Sequence, residues 1–189
     1  MQCSVWFRFT WLAATLALLS GIGLAQSSFD LEGHPVNPLT GNSKKPTVLV
    51  FLRRDCPVSG RYAPVIQQIS QQYADRANFW LVYPDKTDTP DEIRRSVGEY
   101  GYKLPVLRDP EHVLVRRSRV QITPEIAVFD QNRKLVYDGR IDDWYVDLNR
   151  TRPAPTTHEL QDAIAAAMAQ TAMAHKEVRG VGCYISDVE

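Results

Sequence analysis

The sequence predicts an α/β fold in which a central mixed β-sheet is flanked by helices. Short apolar, β-branched runs alternate with longer segments whose apolar residues recur at helical spacing, a pattern typical of strand–helix–strand units. Near the carboxyl end, two apolar runs are separated only by the polar turn Gln131–Arg133. That turn predicts an antiparallel hairpin added to an otherwise parallel sheet.

The predicted domain opens with a strand followed by a helix. Lys45–Leu52 is apolar enough to be buried on both faces of a sheet. Val58–Ala74 carries its apolar residues on one helix face, with Pro57 at a favourable first position and Pro64 inside, where a kink is expected. The later elements are predicted as a strand at Asn78–Tyr83, a helix from Thr89 to about Tyr100, a strand at Leu104–Leu107, a helix at Pro110–Ser118, strands at Glu125–Asp130 and Leu135–Asp138, and a helix at Thr156–Ala174.

The segment before the last helix is predicted to be a loop. Ile141–Pro155 is polar and contains the acidic pair Asp142 and Asp143, for which a solvated position is expected. Thr156 or Thr157 is the expected cap of the helix that follows.

Composition and charge exclude several classes of protein. The 22 Lys and Arg residues balance the 22 Asp and Glu residues, which leaves no electrostatic footprint for nucleic acid or an anionic membrane surface. Three cysteines are too few for a disulfide-stapled mini-protein, and no paired CxxC motif suggests a zinc ribbon. The four histidines are scattered, so neither a metal nor any other cofactor is predicted.

The amino terminus has the pattern of a secretory signal over Met1–Ala25. Arg8 supplies a short positive region, Trp11–Leu19 is the apolar core, and Gly23-Leu24-Ala25 is a small-x-small cleavage site. An uncleaved anchor is the alternative interpretation. The expected mature domain is Gln26–Glu189, periplasmic or secreted, in a compartment where disulfides persist.

Cys56 is the candidate reactive residue. It follows a buried strand and begins a helix, where free N–H groups and the helix dipole favour a thiolate. Arg53 and Arg54 add positive charge, and Asp55 opposes them. The alternative is that Cys56 is a small buried hydrophobe. Its place at the rim of an α/β sheet favours reactivity, with an exposed sulfur expected.

The stretch VFLRRDCPVSGRYAPVI, residues 50–66, resembles the thioredoxin-like redoxins, the superfamily of alkyl hydroperoxide reductase and thiol-specific antioxidant proteins. Over about Phe29 to Ile185, the resemblance implies a thioredoxin-like fold with Cys56 as the attacking thiol. Pro64 matches the family's helix proline. Thr123-Pro124 matches its cis-proline ahead of the terminal hairpin.

The resemblance also implies roles around Cys56. Ser59 stands where the relatives carry a resolving cysteine, and its hydroxyl is expected to donate a hydrogen bond to the sulfur. Pro124, with Thr123 beside it, is expected to shape a groove for an extended substrate strand, and Pro57 is assigned to the same groove.

Two further stretches resemble a secreted bacterial subgroup with a single active-site cysteine and a second cysteine near the carboxyl end. They are YDGRIDDWY, residues 137–145, and VGCYI, residues 181–185. Spacing leaves three arrangements of Cys183 open. It could be the resolving thiol for Cys56, form a permanent structural bridge with it, or lie far away.

The expected function is a secreted thiol oxidoreductase, acting by thiol–disulfide exchange or peroxide reduction. Peroxiredoxins carry Thr or Ser and Pro where this chain has Arg53 and Leu49, which disfavours a peroxidase of the usual kind. Arg140 is a further candidate to steady the thiolate. The expected partners are thiol or disulfide proteins or a small peroxide, with a membrane-bound protein as a candidate electron donor. The alternatives are copper handling by Cys56, Cys183 and a histidine, or a non-catalytic interaction module.

Overall fold

The computed structural model describes residues 28–41, 43–173 and 178–186. The predicted signal over Met1–Ala25 lies outside these residues. Within them, no helix has the length and apolar character needed to cross a membrane. The elements are β1 (Ser28–Phe29), β2 (Pro35–Val36), β3 (Thr47–Phe51), α1 (Pro57–Gln72), β4 (Asn78–Tyr83), α2 (Pro90–Glu99), β5 (Val106–Arg108), α3 (Val113–Ser118), β6 (Ile122–Thr123), β7 (Glu125–Phe129), β8 (Leu135–Gly139), β9 (Tyr145–Asp147), β10 (Arg150–Thr151), α4 (Glu159–Ala169) and β11 (Cys183–Tyr184).

Seven strands form one mixed sheet in the order β2-β1-β5-β4-β3-β7-β8. Strands β3, β4 and β5 run parallel to one another, and β7 is antiparallel to β3. The β7–β8 hairpin closes one edge. This arrangement confirms the predicted α/β fold with its antiparallel addition.

The central strand β3 is buried on both faces, as its apolar sequence predicts. Val48 and Val50 pack into a core that includes residues of α1 and α4, such as Ile66 and Ile164. The alternate residues Leu49 and Phe51 pack into a second core, with Leu114 and Val115 of α3. Because successive strand residues point to opposite faces, one continuous apolar run supplies both cores.

Helices α1 and α2 begin where the sequence signals place them, whereas α3 begins at Val113 and not at the predicted Pro110, because His112 before it has a left-handed backbone. Cys56 is the residue before α1, Pro57 is its first residue, and Pro64 lies inside it. Helix α2 has a capping box, in which the Thr89 hydroxyl accepts from the Glu92 backbone while the Glu92 carboxylate accepts from Thr89. These local sequence signals predict the helix starts correctly because they do not depend on tertiary contacts.

The loop predicted at residues 141–155 differs from expectation. It contains the β9–β10 hairpin, and both Asp142 and Asp143 are buried, so the solvated position expected for them is wrong. The Asp143 carboxylate accepts hydrogen bonds from the Thr156 and Thr157 backbones and from the Thr156 hydroxyl. With these groups engaged, helix α4 begins only at Glu159, and neither threonine caps it.

Candidate active site

The topology brings Cys56 and Pro124 to the same end of the sheet. Phe51, the last residue of β3, pairs with Glu125, the first residue of the antiparallel β7. The segment that leaves β3 towards Cys56 therefore meets the residue that enters β7. The Thr123–Pro124 peptide bond is cis, as the resemblance implies, and the Cys56 sulfur lies 3.3 Å from the Thr123 carbonyl oxygen.

Cys183 reaches the same place through a strand that the sequence does not predict. Strand β11 pairs antiparallel with β6, and Cys183 lies opposite Thr123. The Cys183 and Cys56 sulfurs are 2.7 Å apart, and both cysteines are free thiols. Of the three arrangements open at the sequence level, the one that places Cys183 far from Cys56 is wrong.

The two sulfur-bearing residues differ in exposure. Cys56 is only 1% exposed, so the expectation of an exposed sulfur is wrong. Cys183 is partly exposed. The cause is the carboxyl-terminal segment 178–186, which lies over the helix start and places β11 beside Cys56.

Hydrogen bonds nevertheless favour a Cys56 thiolate. Burial raises the pKa of Cys56, but hydrogen bonds from the Cys183 thiol, from the Ser59 backbone and hydroxyl, and from the Val58 backbone outweigh it and hold the pKa below its ordinary value. These amides belong to the first turn of α1, which is the helix-terminus chemistry expected from the sequence.

Cys183 is shifted in the opposite direction. Burial, the hydrogen bond to Cys56 and the negative charge of Cys56 raise the pKa of Cys183 to about 12. The pKa values of the two adjacent thiols are thus shifted in opposite directions, because a thiolate on Cys56 disfavours a second thiolate beside it.

The remaining predicted site residues differ in their burial. Ser59 is buried beside Cys56, and its hydroxyl also accepts from the Arg53 backbone at 3.5 Å. Thr123 is buried and donates its hydroxyl to the Cys183 carbonyl at 3.3 Å. Pro57 is exposed at the start of α1.

Arg140 does not approach the thiolate, which corrects the role suggested for it. Its guanidinium pairs with Glu159 and Thr157, and its backbone N–H donates to the Val178 carbonyl at 2.9 Å. The side chain therefore ties β8 to α4 while its backbone holds the carboxyl-terminal segment.

Sequence reasoning missed Glu125, a fully buried carboxylate directly after Pro124. It accepts hydrogen bonds from the backbones of Gln121, Ile122 and Gly180, so it joins β6 to the carboxyl-terminal segment. The available signal was a charged residue at the head of the otherwise apolar strand EIAVF.

Within the described ranges, no cluster of three or more His, Cys, Asp or Glu side chains could hold a metal ion. His34 contacts Asp30, and His112 contacts the Pro84 carbonyl. His175, another of the scattered histidines, lies outside those ranges. The copper alternative thus has two adjacent thiols and no third ligand among the described residues.

Comparison with known proteins agrees with this architecture. Residues 43–135 match the family model described as Thioredoxin-like. HCF164, a chloroplastic thioredoxin-like protein of Oryza sativa subsp. japonica, is 32% identical over 95 residues, which cover 43% of this chain and 36% of that protein. The chain thus spans little more than a third of that relative's length.

Solved structures extend the likeness across most of the chain. An uncharacterized conserved protein from Geobacillus kaustophilus has a TM-score of 0.69 and 22% identity, covering 85% of this chain and 88% of its own. A secreted Mycobacterium tuberculosis disulfide oxidoreductase homologous to E. coli DsbE has a TM-score of 0.51 and 19% identity, covering 77% of this chain and 96% of its own.

The fold and the cysteine-bearing helix start therefore define a thioredoxin-like protein. This chain carries a thioredoxin-like domain, which confirms the resemblance to the thioredoxin-like redoxins and the predicted fold.

Proposed function

We propose that this chain is a thiol–disulfide oxidoreductase in which Cys56 and Cys183 alternate between two thiols and one disulfide. The observation that carries the proposal is the 2.7 Å separation of their sulfurs at the start of α1. Cys56 is the nucleophile, because hydrogen bonds lower its pKa. Cys183 is the resolving thiol, a role that the Ser59 hydroxyl cannot perform.

The reaction with a substrate disulfide has two steps. The Cys56 thiolate attacks one substrate sulfur, which forms a mixed disulfide and releases the other as a thiolate. Cys183 then gives up its proton to the departing thiolate and attacks the Cys56 sulfur, which releases the second substrate sulfur as a thiolate. The substrate gains two electrons, and the protein retains a Cys56–Cys183 disulfide.

The surroundings of the sulfurs indicate what kind of substrate fits. The Thr123 carbonyl borders the Cys56 sulfur and the exposed Pro57 follows it in the chain, which suits a disulfide or dithiol presented by a protein. A peroxide is less favoured, because Arg53 and Leu49 replace the hydroxyl residue and the proline of peroxiredoxins.

We further propose that the protein acts in the periplasm or outside the cell, as the domain Gln26–Glu189 released from the signal Met1–Ala25. The pattern of the first 25 residues and the secreted mycobacterial structure of similar fold support this location. A membrane-bound thiol protein is then a candidate electron donor.

The burial of Cys56 is the observation that favours the competing role, a non-catalytic interaction module. Its lowered pKa and the adjacent Cys183 favour the enzyme, because a structural cysteine needs neither. An assay of turnover separates these two roles.

The test uses the uncleaved chain, which still contains Cys3 of the predicted signal. It compares wild type with Cys56→Ser, Cys183→Ser and the control Cys3→Ser in insulin reduction, disulfide isomerisation and peroxide consumption. We expect wild type and Cys3→Ser to reduce insulin equally and Cys56→Ser to fall to the uncatalysed background. Mass analysis without reductant should show a Cys56–Cys183 disulfide in wild type. Equal turnover by wild type and Cys56→Ser in all three assays, or two free thiols after air oxidation, contradicts the proposal.

A further inference from the structure

The two sulfurs of the candidate site are unequal targets for a molecule arriving from solvent. Cys56 is 1% exposed and is enclosed by the Thr123 carbonyl and by Cys183 itself. Cys183 lies on a two-residue strand and is partly exposed. Joining the sulfurs in a disulfide requires only a short approach, so this difference in access persists in the oxidised form.

The segment that carries Cys183 is anchored on both sides of the cysteine. Before it, the Gly180 N–H donates to Glu125 at 2.8 Å, and the Arg179 guanidinium lies 3.4 Å from Asp138. After it, the Ile185 N–H donates to the Gln121 carbonyl at 2.9 Å. Access to Cys56 through displacement of this segment would break all of these contacts, whereas access to Cys183 breaks none.

Resting on the proposed function, we infer that an external thiol reduces the Cys56–Cys183 disulfide by attacking the sulfur of Cys183. The incoming thiolate forms a mixed disulfide with Cys183, and the electron pair of the broken bond leaves on Cys56 as a thiolate. A second external thiolate attacks the sulfur of the first, which releases Cys183 as a thiol after protonation. Two external thiols become one disulfide, and the protein gains the two electrons.

The chemistry of the leaving group agrees with the geometry. A disulfide sulfur leaves faster when its thiol has a low pKa. Attack on Cys183 expels Cys56, whose thiolate is stabilised by the Ser59 and Val58 hydrogen bonds. Attack on Cys56 would expel Cys183, whose pKa is raised to about 12.

This site also defines the class of electron donor. The edge of β6 beside Pro124, where an extended partner strand could pair, is already taken by β11. The donor therefore presents a thiol to Cys183 without adding a strand to β6. The charges nearest to Cys183 form a pair, because the Arg53 guanidinium lies 2.7 Å from the Asp55 carboxylate.

The experiment uses the oxidised full chain and glutathione as the external thiol. A brief reaction is quenched with acid, free thiols are alkylated, and tryptic peptides are mapped by mass spectrometry. The three cysteines fall in separate peptides, residues 1–8, 55–61 and 180–189. A parallel reaction with cyanide leaves a stable thiocyanate on whichever sulfur is attacked and a thiolate on the other.

We expect glutathione and thiocyanate on 180–189 and the alkyl group on 55–61, with this assignment in about tenfold excess over the reverse. The reverse pattern, with the mark on 55–61, overturns the inference and leaves the proposed oxidoreductase intact. Equal marking of both peptides also overturns it. If oxidation never forms the Cys56–Cys183 disulfide, both the inference and the proposed function fail.

Discussion

At the residue scale, Ser59 shows how one position can lose one chemical role and retain another. A serine cannot resolve a mixed disulfide, but its backbone N–H and hydroxyl both lower the pKa of Cys56 against the effect of burial. The resolving thiol comes instead from Cys183, far along the chain. Local stabilisation of the thiolate and its resolution are thus separated in this sequence.

Removing the Ser59 hydroxyl should raise the pKa of Cys56. One hydrogen bond contributes about 0.5–1.5 kcal/mol, which corresponds to a rise of about 0.4–1 pKa unit for Ser59→Ala. The measurement is the pH dependence of Cys56 alkylation in a Cys183→Ser background. Ser70→Ala is the matched control, because Ser70 is a buried serine of the same helix that bonds the Gln67 carbonyl. A Ser59→Ala profile that coincides with the Ser70→Ala profile contradicts the assignment.

Residue roles were predictable where they depend on local position. The place of Cys56 at a helix start and the partnership with Pro124 follow from short motifs and from the resemblance. The exposure of Cys56 was predicted wrongly, because the segment that covers it comes from more than a hundred positions away. No spacing rule connects those two cysteines.

At the element scale, the absence of a side chain at Gly182 allows β11 to lie close to β6. A Cβ there would collide with the Thr123 carbonyl oxygen and approach Pro124 to 3.2 Å. Only glycine permits this approach. The strand was missed in the sequence because two paired residues produce no alternating pattern.

Gly182→Ala should therefore weaken disulfide formation between Cys56 and Cys183. Overpacking costs about 1–3 kcal/mol, so we expect the equilibrium constant for the disulfide in a glutathione buffer to fall by about tenfold. Gly98→Ala is the control, because a Cβ at Gly98 meets no atom within 4 Å. An unchanged equilibrium in Gly182→Ala would show that β11 does not hold Cys183 in place.

In the short helix α3, the amides of Val113 and Val115 donate to the Asp109 carboxylate, at 2.8 and 2.9 Å. Burial nevertheless raises the pKa of Asp109 to about 6, against the lowering effect of these hydrogen bonds. Since the folded pKa exceeds the unfolded value of 3.8, the folded state binds the proton more tightly. This contribution to stability is present below pH 4 and is lost as the pH rises through about 6.

Asp109→Asn should remove this dependence of stability on pH. The free energy of unfolding of the variant, relative to wild type, should rise between pH 4 and 7 by at most about 3 kcal/mol, measured by urea denaturation. Asp85→Asn should show no such rise between pH 4 and 7, because burial of Asp85 is outweighed by hydrogen bonds from Thr87 that lower its pKa, so its contribution to stability changes only below about pH 4. Parallel pH profiles for the two variants contradict the role of Asp109.

At the scale of the whole molecule, the redox pair connects two distant parts of the chain. Cys56 and Cys183 are 127 positions apart, and the segment between them includes most of the sheet and helices α1 to α4. The mixed sheet with flanking helices and a terminal hairpin was predictable as an architecture, because it depends on periodicity summed over many residues. The closure of the fold by the carboxyl-terminal segment depends on single contacts, chiefly those of Glu125 and Gly182, which periodicity does not reveal.

Such a connection should make global stability depend on redox state. A cross-link that closes a long loop removes entropy from the unfolded chain, so we expect the oxidised protein to be more stable than the dithiol form by about 2–5 kcal/mol in guanidinium unfolding. Cys56→Ser and Cys183→Ser should unfold at the same denaturant concentration with or without reductant, and Cys3→Ser should keep the wild-type difference. Because unfolding and reduction form one thermodynamic cycle, whatever stability the disulfide adds must also make the folded pair harder to reduce than the same pair in the unfolded chain. Equal stabilities of the two wild-type forms would contradict the expected coupling of the redox pair to the fold as a whole.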